Sequence, residues 1–228
     1  MKWEQVTKCV LCGGTKFELY QKSGVNVRLP EFPNTVLYYV RCKCGLIFQN
    51  PHLNAASIEE YYASGHYRRS VLGSRTGHDE SELRRQQSLI TLVEGKTLLD
   101  VGCSRGFLVR LAWAKNIVAL GVEPYADYVM PEVPCVRTID EVTEKYDTVT
   151  CIKVLEHISN PVEFAEKLID RTGKRLIVEV PSKKSQGGPW RLPHLYYFTD
   201  AIMERIFDRL KLIATLKTPS SLYVFETE

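Results

Sequence analysis

Short apolar runs alternate with helical patterns throughout residues 96–228. Runs of this length between amphipathic segments are typical of parallel strands whose sheet is covered by helices. Pro219 and Ser220 separate the last two runs, which predicts an antiparallel hairpin there. We therefore predict an α/β fold with a doubly wound, seven-stranded sheet that closes in an antiparallel hairpin. The predicted strands are Leu98–Val101, Ile117–Val122, Cys135–Thr138, Thr148–Lys153, Arg175–Val180, Leu212–Thr218 and Ser221–Glu226.

Residues 1–55 have a different pattern, in which two close pairs of cysteines enclose strand-like segments. The pairs are Cys9/Cys12 and Cys42/Cys44, and each is followed directly by glycine. Four thiolates match the ligand set of a closed, structural zinc site, and a module this short needs such a metal to fold. We predict a zinc ribbon over residues 1–55. The predicted strands are Lys16–Gln21 and Val36–Arg41.

The second pair has one residue between its cysteines instead of two. Three interpretations stay open: a tightened knuckle, His52 in place of one thiolate, or a site that has lost its metal.

Residues 56–95 join these parts, and we interpret them as a helical connector and lid. Ser57 and Glu60 have capping-box spacing, which predicts a short helix over 58–63. A polar, glycine-containing loop follows, in which Tyr67 is a candidate ligand or substrate contact and a solvated loop is the alternative. An amphipathic helix is then predicted over Asp79–Val93, with Arg85 and Gln86 facing outward.

Composition narrows the choice of partners. The chain has 228 residues, 44% of them hydrophobic and 25% charged, with a formal net charge of +3. This small excess of positive charge argues against a nucleic-acid partner and leaves a small anionic substrate open. No apolar run approaches the ~20 residues of a membrane helix, and the first residues are polar. We expect a cytoplasmic protein without a membrane partner.

Residues 97–108 carry the strongest indication of function. Their sequence, Thr-Leu-Leu-Asp-Val-Gly-Cys-Ser-Arg-Gly-Phe-Leu, predicts a strand, a turn between Gly102 and Gly106, and the start of a helix. Such a corner lets a nucleotide approach the backbone. The dinucleotide pattern G-x-G-x-x-G fails, because Ser104 and Phe107 replace the second and third glycines. The serine-hydrolase pattern G-x-S-x-G matches literally, with Ser104 as nucleophile.

The ends of the predicted strands supply the next candidates, since ligands of such sheets bind at the carboxyl ends of the strands. Glu123 ends the second strand, 21 positions after Gly102, and its two oxygens suit the two hydroxyls of a ribose.

The Asp100–Gly106 segment resembles motif I of class I S-adenosylmethionine-dependent methyltransferases, Asp-x-Gly-x-x-x-Gly. Val154-Leu-Glu-His-Ile158, followed by Asn160-Pro161, resembles the segment after their fourth strand. With the cysteine module, the chain resembles zinc-ribbon-bearing class I methyltransferases, many of which are similar to sugar or secondary-metabolite enzymes. The resemblance implies a Rossmann-like methyltransferase domain over 96–228. It also implies S-adenosylmethionine-binding residues, namely Asp100, Gly102, Cys103, Ser104, Gly106, Phe107, Glu123, Pro124, Lys153 and Leu155.

A methyl acceptor that must lose a proton calls for a base, and histidine titrates near neutrality. His157 after the fourth strand and His194 after the fifth are the candidates; capping of nearby backbone is the alternative role of each. The resemblance makes a nucleotide-linked sugar the first expectation for the acceptor, with Arg191 and Tyr196 as further contacts. However, the Tyr-x-Glu that precedes the loop histidine in the deoxysugar C-methyltransferases is missing here.

Three other functions stay open. The first is an RNA or protein methyltransferase that docks through the ribbon. The second is a module that binds S-adenosylmethionine without turnover, and the third is the serine hydrolase suggested by Ser104.

Overall fold

The structure is a computed model that describes residues 2–24, 36–63, 78–183, 192–217 and 219–228. Tyr67 and Arg191 lie outside the described residues. The described strands are β1 (Trp3–Glu4), β2 (Phe17–Gly24), β3 (Val36–Cys42), β4 (Ile47–Gln49), β5 (His52–Leu53), β6 (Thr97–Val101), β7 (Val118–Val122), β8 (Cys135–Val136), β9 (Tyr146–Ile152), β10 (Thr172–Pro181), β11 (Tyr196–Tyr197), β12 (Lys211–Lys217) and β13 (Ser220–Glu226). The described α-helices are α1 (Ala55–Ala63), α2 (His78–Leu89), α3 (Phe107–Trp113), α4 (Pro161–Arg171) and α5 (Asp200–Ile206).

The large sheet has seven strands in the order β12-β13-β10-β9-β6-β7-β8. The strands from β10 to β8 are parallel, while β13 runs antiparallel to both β10 and β12. Leu98 and Leu99 of the central strand β6 are both fully buried, since neighbouring strands and helices cover both faces of the sheet. The predicted seven-stranded α/β sheet with its terminal hairpin is therefore confirmed.

A second sheet, of four strands in the order β11-β4-β3-β2, contains the strands predicted for the cysteine module. Its edge strand β11 comes from far along the chain, and Tyr196 pairs there with Phe48. The Tyr39 hydroxyl donates to the His194 carbonyl at 2.9 Å, and the Gln49 amide donates to the Leu195 carbonyl at 2.8 Å. The sheet that begins in residues 1–55 is thus completed by the segment around His194.

The connector helices differ from the predictions in their starts and faces. Helix α1 begins before Ser57, and the Asn54 side chain caps it by accepting the Ser57 amide at 2.9 Å. Ser57 itself is buried, with its hydroxyl oxygen accepting the Lys2 amide. The predicted capping role of Ser57 is wrong, because Asn54 occupies that position.

Helix α2 ends at Leu89, short of the predicted Val93. The guanidinium of Arg85 reaches Glu179 of β10 at 2.9 Å, and the side chain of Gln86 is buried. Both face the domain instead of solvent, because α2 packs beside the end of β10, where a buried carboxylate needs a cation. Within the described ranges, no helix combines the length and apolar character that a bilayer crossing requires.

Candidate functional site

The turn after β6 has the backbone shape that its glycines predict. Gly102 and Gly106 adopt left-handed conformations, with φ of 78° and 80°, and Ser104 between them has φ of 50°. A Cβ on Gly102 would lie 2.2 Å from Val154 Cγ2, so the turn packs directly on the segment after β9. Only glycine combines that φ with that contact. The predicted cofactor turn therefore lies against the segment that holds the candidate base.

Glu123 lies beside this turn at the end of β7. Its carboxylate accepts the Ser104 amide at 3.1 Å and the Tyr125 amide at 3.2 Å, one on each oxygen. Burial raises the pKa of Glu123, while the two amide donors act in the opposite direction. Each oxygen keeps a further lone pair, so the carboxylate can still accept two hydroxyls of a diol. The structure thus brings together the turn and the acidic residue that the sequence predicted.

Asp100 is buried and accepts a hydrogen bond from the Thr150 hydroxyl of β9 at 2.7 Å. Burial raises the pKa of the Asp100 carboxyl from its ordinary value of 3.8 to about 6, and the Thr150 contact partly offsets that rise. The carboxyl ties two neighbouring strands together directly beneath the turn.

The remaining predicted cofactor residues are Cys103, Phe107, Pro124, Lys153 and Leu155. Phe107 opens α3, where the Arg105 guanidinium lies over its ring at 5.9 Å, and Pro124 is exposed beyond Glu123. These two flank the turn as predicted. Cys103 is buried, with its Sγ 3.9 Å from Cys135 Sγ.

The side chains of Lys153 and Leu155 make contacts within the protein. The Lys153 ammonium forms an ion pair with Glu179 at 3.3 Å, and the side chain of Leu155 is fully buried in the core. Cofactor binding by Leu155 stays a prediction, and its side chain is packed in the core. For Lys153, Glu179 and Ser220 already bind the ammonium.

The two candidate histidines lie together at the end of β9, although 37 positions separate them in the chain. Their ring centroids are 4.9 Å apart, with the planes inclined at 63°. His157 belongs to a short 3-10 helix, Leu155–His157, and the Leu195 amide donates to the Glu156 carbonyl at 2.8 Å. This backbone bond links the segment of His194 to the segment of His157.

The ring of His157 is held by its Nδ1 atom. This atom lies 2.7 Å from the Pro193 carbonyl oxygen and 3.0 Å from the Tyr62 hydroxyl. Because a carbonyl only accepts, Nδ1 carries the proton, and Nε2 is left with its lone pair. The other ring nitrogen of His157, Nε2, lies 3.8 Å from a carboxylate oxygen of Glu156.

Glu156 was not predicted as a site residue, although it lies in the motif that was. Its side chain is only 1% exposed, and neither carboxylate oxygen has a hydrogen-bond partner among the residues that the structure describes. Burial raises the pKa of Glu156 to about 8. An acidic residue directly before the candidate base was the available signal.

Tyr62 was also missed, because its contact to His157 depends on how α1 packs. The Tyr128 hydroxyl donates to the Tyr62 carbonyl at 3.2 Å, and the Tyr62 and Tyr125 rings stack at 6.0 Å. Helix α1 thus bridges the segment after Glu123 and the histidine pair.

The predicted substrate contact Tyr196 lies in β11, inside the small sheet. Its hydroxyl donates to the Ser159 carbonyl at 2.8 Å, and its ring stacks on Phe198 at 5.9 Å. The side chain is buried. A role of this side chain in acceptor binding stays a prediction, and the structure places the side chain in the core.

The four cysteines of the small module come together as predicted. The Sγ atoms of Cys9 and Cys44 are 3.6 Å apart, as are those of Cys12 and Cys42, and all four lie within 4.8 Å of one another. Four sulfurs at about 2.3 Å from one zinc would be about 3.8 Å apart in a tetrahedron. The donor set and its spacing fit zinc, and the C-x-C pair reaches the same cluster because Gly45, with φ of 96°, turns the chain directly after it.

Comparison with known proteins identifies the family. A family model described as a methyltransferase domain matches residues 75–212. The chain belongs to the methyltransferase-domain family. This match covers more than half of the chain, and it confirms the methyltransferase part of the predicted family and the predicted enzyme class.

Two curated relatives match parts of this methyltransferase. One is the mitochondrial ubiquinone biosynthesis O-methyltransferase of Saccharomyces cerevisiae, 28% identical over 108 residues, which are 38% of this chain and 34% of that protein. The other is the tRNA U34 carboxymethyltransferase of Desulfotalea psychrophila, 24% identical over 140 residues, which are 52% of this chain and 41% of that protein. The chain thus spans well under half the length of these relatives.

Solved structures establish the class I methyltransferase fold. Magnesium protoporphyrin IX methyltransferase from Synechocystis PCC 6803, with bound SAH, aligns with a TM-score of 0.61 at 16% identity, covering 77% of this chain and all of that one. The 1,6-didemethyltoxoflavin-N1-methyltransferase of Burkholderia thailandensis aligns with a TM-score of 0.59 at 14% identity, covering 83% of this chain and 96% of that one.

Proposed function

We propose that this protein transfers the methyl group of S-adenosylmethionine to a small polar metabolite, with a nucleotide-linked sugar as the first candidate. The observation that carries the cofactor assignment is the contact between the turn and Glu123. The Ser104 and Tyr125 amides hold the Glu123 carboxylate at the rim of the Gly102–Gly106 turn. A glycine turn that admits a ligand, beside a carboxylate that accepts a diol, suits the nucleoside part of S-adenosylmethionine.

The histidine pair supports the acceptor half of the proposal. The sulfonium cofactor brings an activated methyl group, so the protein has to orient the acceptor and help it lose a proton. His157 and His194 lie beside the turn, since Gly102 packs on Val154 three residues before His157. His157 Nε2 has the lone pair that such assistance needs.

The zinc ribbon supports the same site from the other side. We assign Cys9, Cys12, Cys42 and Cys44 a structural zinc, because four thiolates leave no open position for chemistry. The sheet that this zinc would hold together contacts His194 through Tyr39. Its role would be to fix the acceptor side of the site.

The cofactor assignment is tested by Glu123→Ala in titration calorimetry with S-adenosylmethionine. Loss of two charge-assisted hydrogen bonds should weaken binding on the order of 100-fold, while zinc content stays unchanged. Glu144→Ala is the matched control, because Glu144 is exposed away from the turn. Unaltered affinity of Glu123→Ala would refute the ribose assignment.

The acceptor is tested by a mass-shift screen of nucleotide-sugar pools incubated with protein and S-adenosylmethionine. A gain of one methyl group identifies the acceptor, and His157→Gln and His194→Gln should lower the rate of transfer without lowering cofactor affinity. A salt-sensitive gel shift with tRNA would instead favour the RNA alternative, to which the Desulfotalea relative lends support. Tight cofactor binding without any transfer would favour a binding module.

A further inference from the structure

Glu156 has a buried carboxylate to which the described residues donate no hydrogen bond. The side chain is 1% exposed, and within the described part of the chain both of its carboxylate oxygens lack a hydrogen-bond partner. A buried carboxylate without donors is costly, and other buried carboxylates of this chain do have them. Asp100 accepts from Thr150, and Glu179 accepts from Arg85. The oxygens of Glu156 therefore need a positively charged or protonated partner.

Two histidines, whose side chains can bind a metal ion, lie close to these oxygens. Ligand atoms of Glu156, His157 and His194 all lie within 4.8 Å of one another. The gap from His157 Nε2 to Glu156 Oε1 is 3.8 Å, too long for a hydrogen bond. Two ligand atoms at about 2.1 Å from a shared ion are typically about 3–4 Å apart, so this gap suits an ion placed between them.

The outer contacts of His157 fit the same role. Histidines that ligate a metal commonly donate their other ring N–H to a backbone carbonyl, which fixes the tautomer and the ring orientation. His157 does this through Nδ1 and the Pro193 carbonyl at 2.7 Å, with the Tyr62 hydroxyl beside it. His194 is fixed through its backbone, where its carbonyl accepts the Tyr39 hydroxyl.

We propose that Glu156, His157 and His194 bind a divalent transition-metal ion next to the cofactor turn. Two imidazoles and one carboxylate suit manganese, iron, cobalt or zinc, and three protein ligands leave coordination positions open. This site is separate from the four-cysteine cluster, whose thiolates fill their own metal's coordination.

The inference rests on the proposed methyl transfer and deepens it by naming the acceptor's reacting group as a hydroxyl. A hydroxyl oxygen in an open position of the ion loses its proton to solvent more readily, because the ion stabilises the resulting oxyanion. This oxygen then attacks the methyl carbon of S-adenosylmethionine. The O–C bond forms as the C–S bond breaks, and the electron pair of the broken bond returns to sulfur. The histidines would thus assist deprotonation as ligands of the ion.

The test adds Co²⁺ to protein that already contains zinc in its four-cysteine site. Dialysis and metal analysis should find about one cobalt per chain beyond that zinc, with visible d–d absorption. The sulfur-to-cobalt charge-transfer band that cobalt in the cysteine cluster would give should be absent. Glu156→Gln and His194→Ala should each weaken cobalt binding on the order of 100-fold or more, while S-adenosylmethionine affinity stays unchanged.

His52→Gln is the matched control, because His52 is another buried histidine near a carboxylate, 3.7 Å from Glu4, outside the cluster. It should leave cobalt binding intact. The proposed metal site would be overturned if no cobalt bound beyond the cysteine site. It would also be overturned if Glu156→Gln and His194→Ala bound cobalt as tightly as the unmodified protein does. Methyl transfer that depends on the histidines but not on metal would overturn it too and leave the proposed function standing. If the unmodified protein did not bind S-adenosylmethionine, the proposed function itself would be overturned.

Discussion

Asp100 illustrates at the scale of one residue how a site residue lowers the stability of the fold that holds it. The carboxyl is buried beneath the turn and has one described hydrogen-bond partner, Thr150. Its ionised form is therefore less stable in the folded chain than in the unfolded chain.

Replacing Asp100 by asparagine should change how stability depends on pH. Below about pH 4 the carboxyl is protonated in both states. Between its ordinary pKa of 3.8 and its folded pKa of about 6, the unfolded state has already lost the proton, so the wild-type free energy of unfolding falls as pH rises. The full penalty above about pH 6 is on the order of 3 kcal/mol.

Asp100→Asn avoids this penalty, so its stability relative to wild type should increase from pH 4 to pH 7 in urea unfolding. The exposed Asp208→Asn is the control and should show no such trend. A difference between Asp100→Asn and wild type that stays constant with pH would contradict the prediction.

The turn between β6 and α3 shows at the scale of one element why two glycines in the same conformation are not equivalent. Gly102 and Gly13 both have positive φ, of 78° and 70°. A Cβ on Gly102 would lie 2.2 Å from Val154 Cγ2, whereas a Cβ on Gly13 would meet nothing within 4 Å. Packing against a neighbouring segment makes the first glycine indispensable.

Gly13→Ala should therefore cost only the left-handed strain of alanine, about 1 kcal/mol. Gly102→Ala adds the clash with Val154, so thermal unfolding should show a total loss of about 2–5 kcal/mol. Calorimetry should also show weakened S-adenosylmethionine binding for Gly102→Ala alone. Equal losses of stability in the two variants would show that the Val154 contact does not constrain the turn.

At the scale of the whole molecule, the cysteine module and the methyltransferase domain share one sheet and one site. Strand β11 pairs with β4, and the Leu195 amide between His194 and β11 donates to Glu156. The metal proposed for the four cysteines would thus stabilise the position of His194, because Cys42 ends β3 in the same four-stranded sheet as β11.

Removing that zinc by Cys42→Ser should loosen this shared region while leaving the turn at Gly102–Gly106 in place. Hydrogen exchange of the Leu195 and Tyr197 amides should become faster, because the strand that pairs with β11 loses its anchor. Affinity for S-adenosylmethionine should change less than about threefold. Unchanged exchange at these amides in a zinc-free Cys42→Ser protein would contradict the coupling.

Much of the fold followed from local pattern. Continuous apolar runs such as Leu98–Val101 can be buried only as central strands, so all seven strands of the large sheet were predicted near their observed positions. The proximity of Gly102 and Glu123 was also predictable, because the carboxyl ends of parallel strands meet at one edge of a sheet. The cysteine cluster was predictable from paired ligands followed by glycine.

Other features depended on contacts between distant segments. Arg85 has an ordinary place on an amphipathic helix, and only the nearness of Glu179 turns it inward. Tyr196 is a residue type that often lines ligand pockets, but here its strand pairs with β4 at Phe48 and its side chain is buried.

The sequence by itself determined the class of the fold, the glycine turn after β6 and the pairs of cysteines that form the cluster, since each depends on residues close together in the chain or on one sheet edge. Tertiary structure decided the surroundings of the histidines. Residues 157 and 194 meet over the buried carboxylate of Glu156 only because β11 joins the small sheet. No local pattern encodes that meeting, because its free energy comes from packing between segments that the chain places far apart.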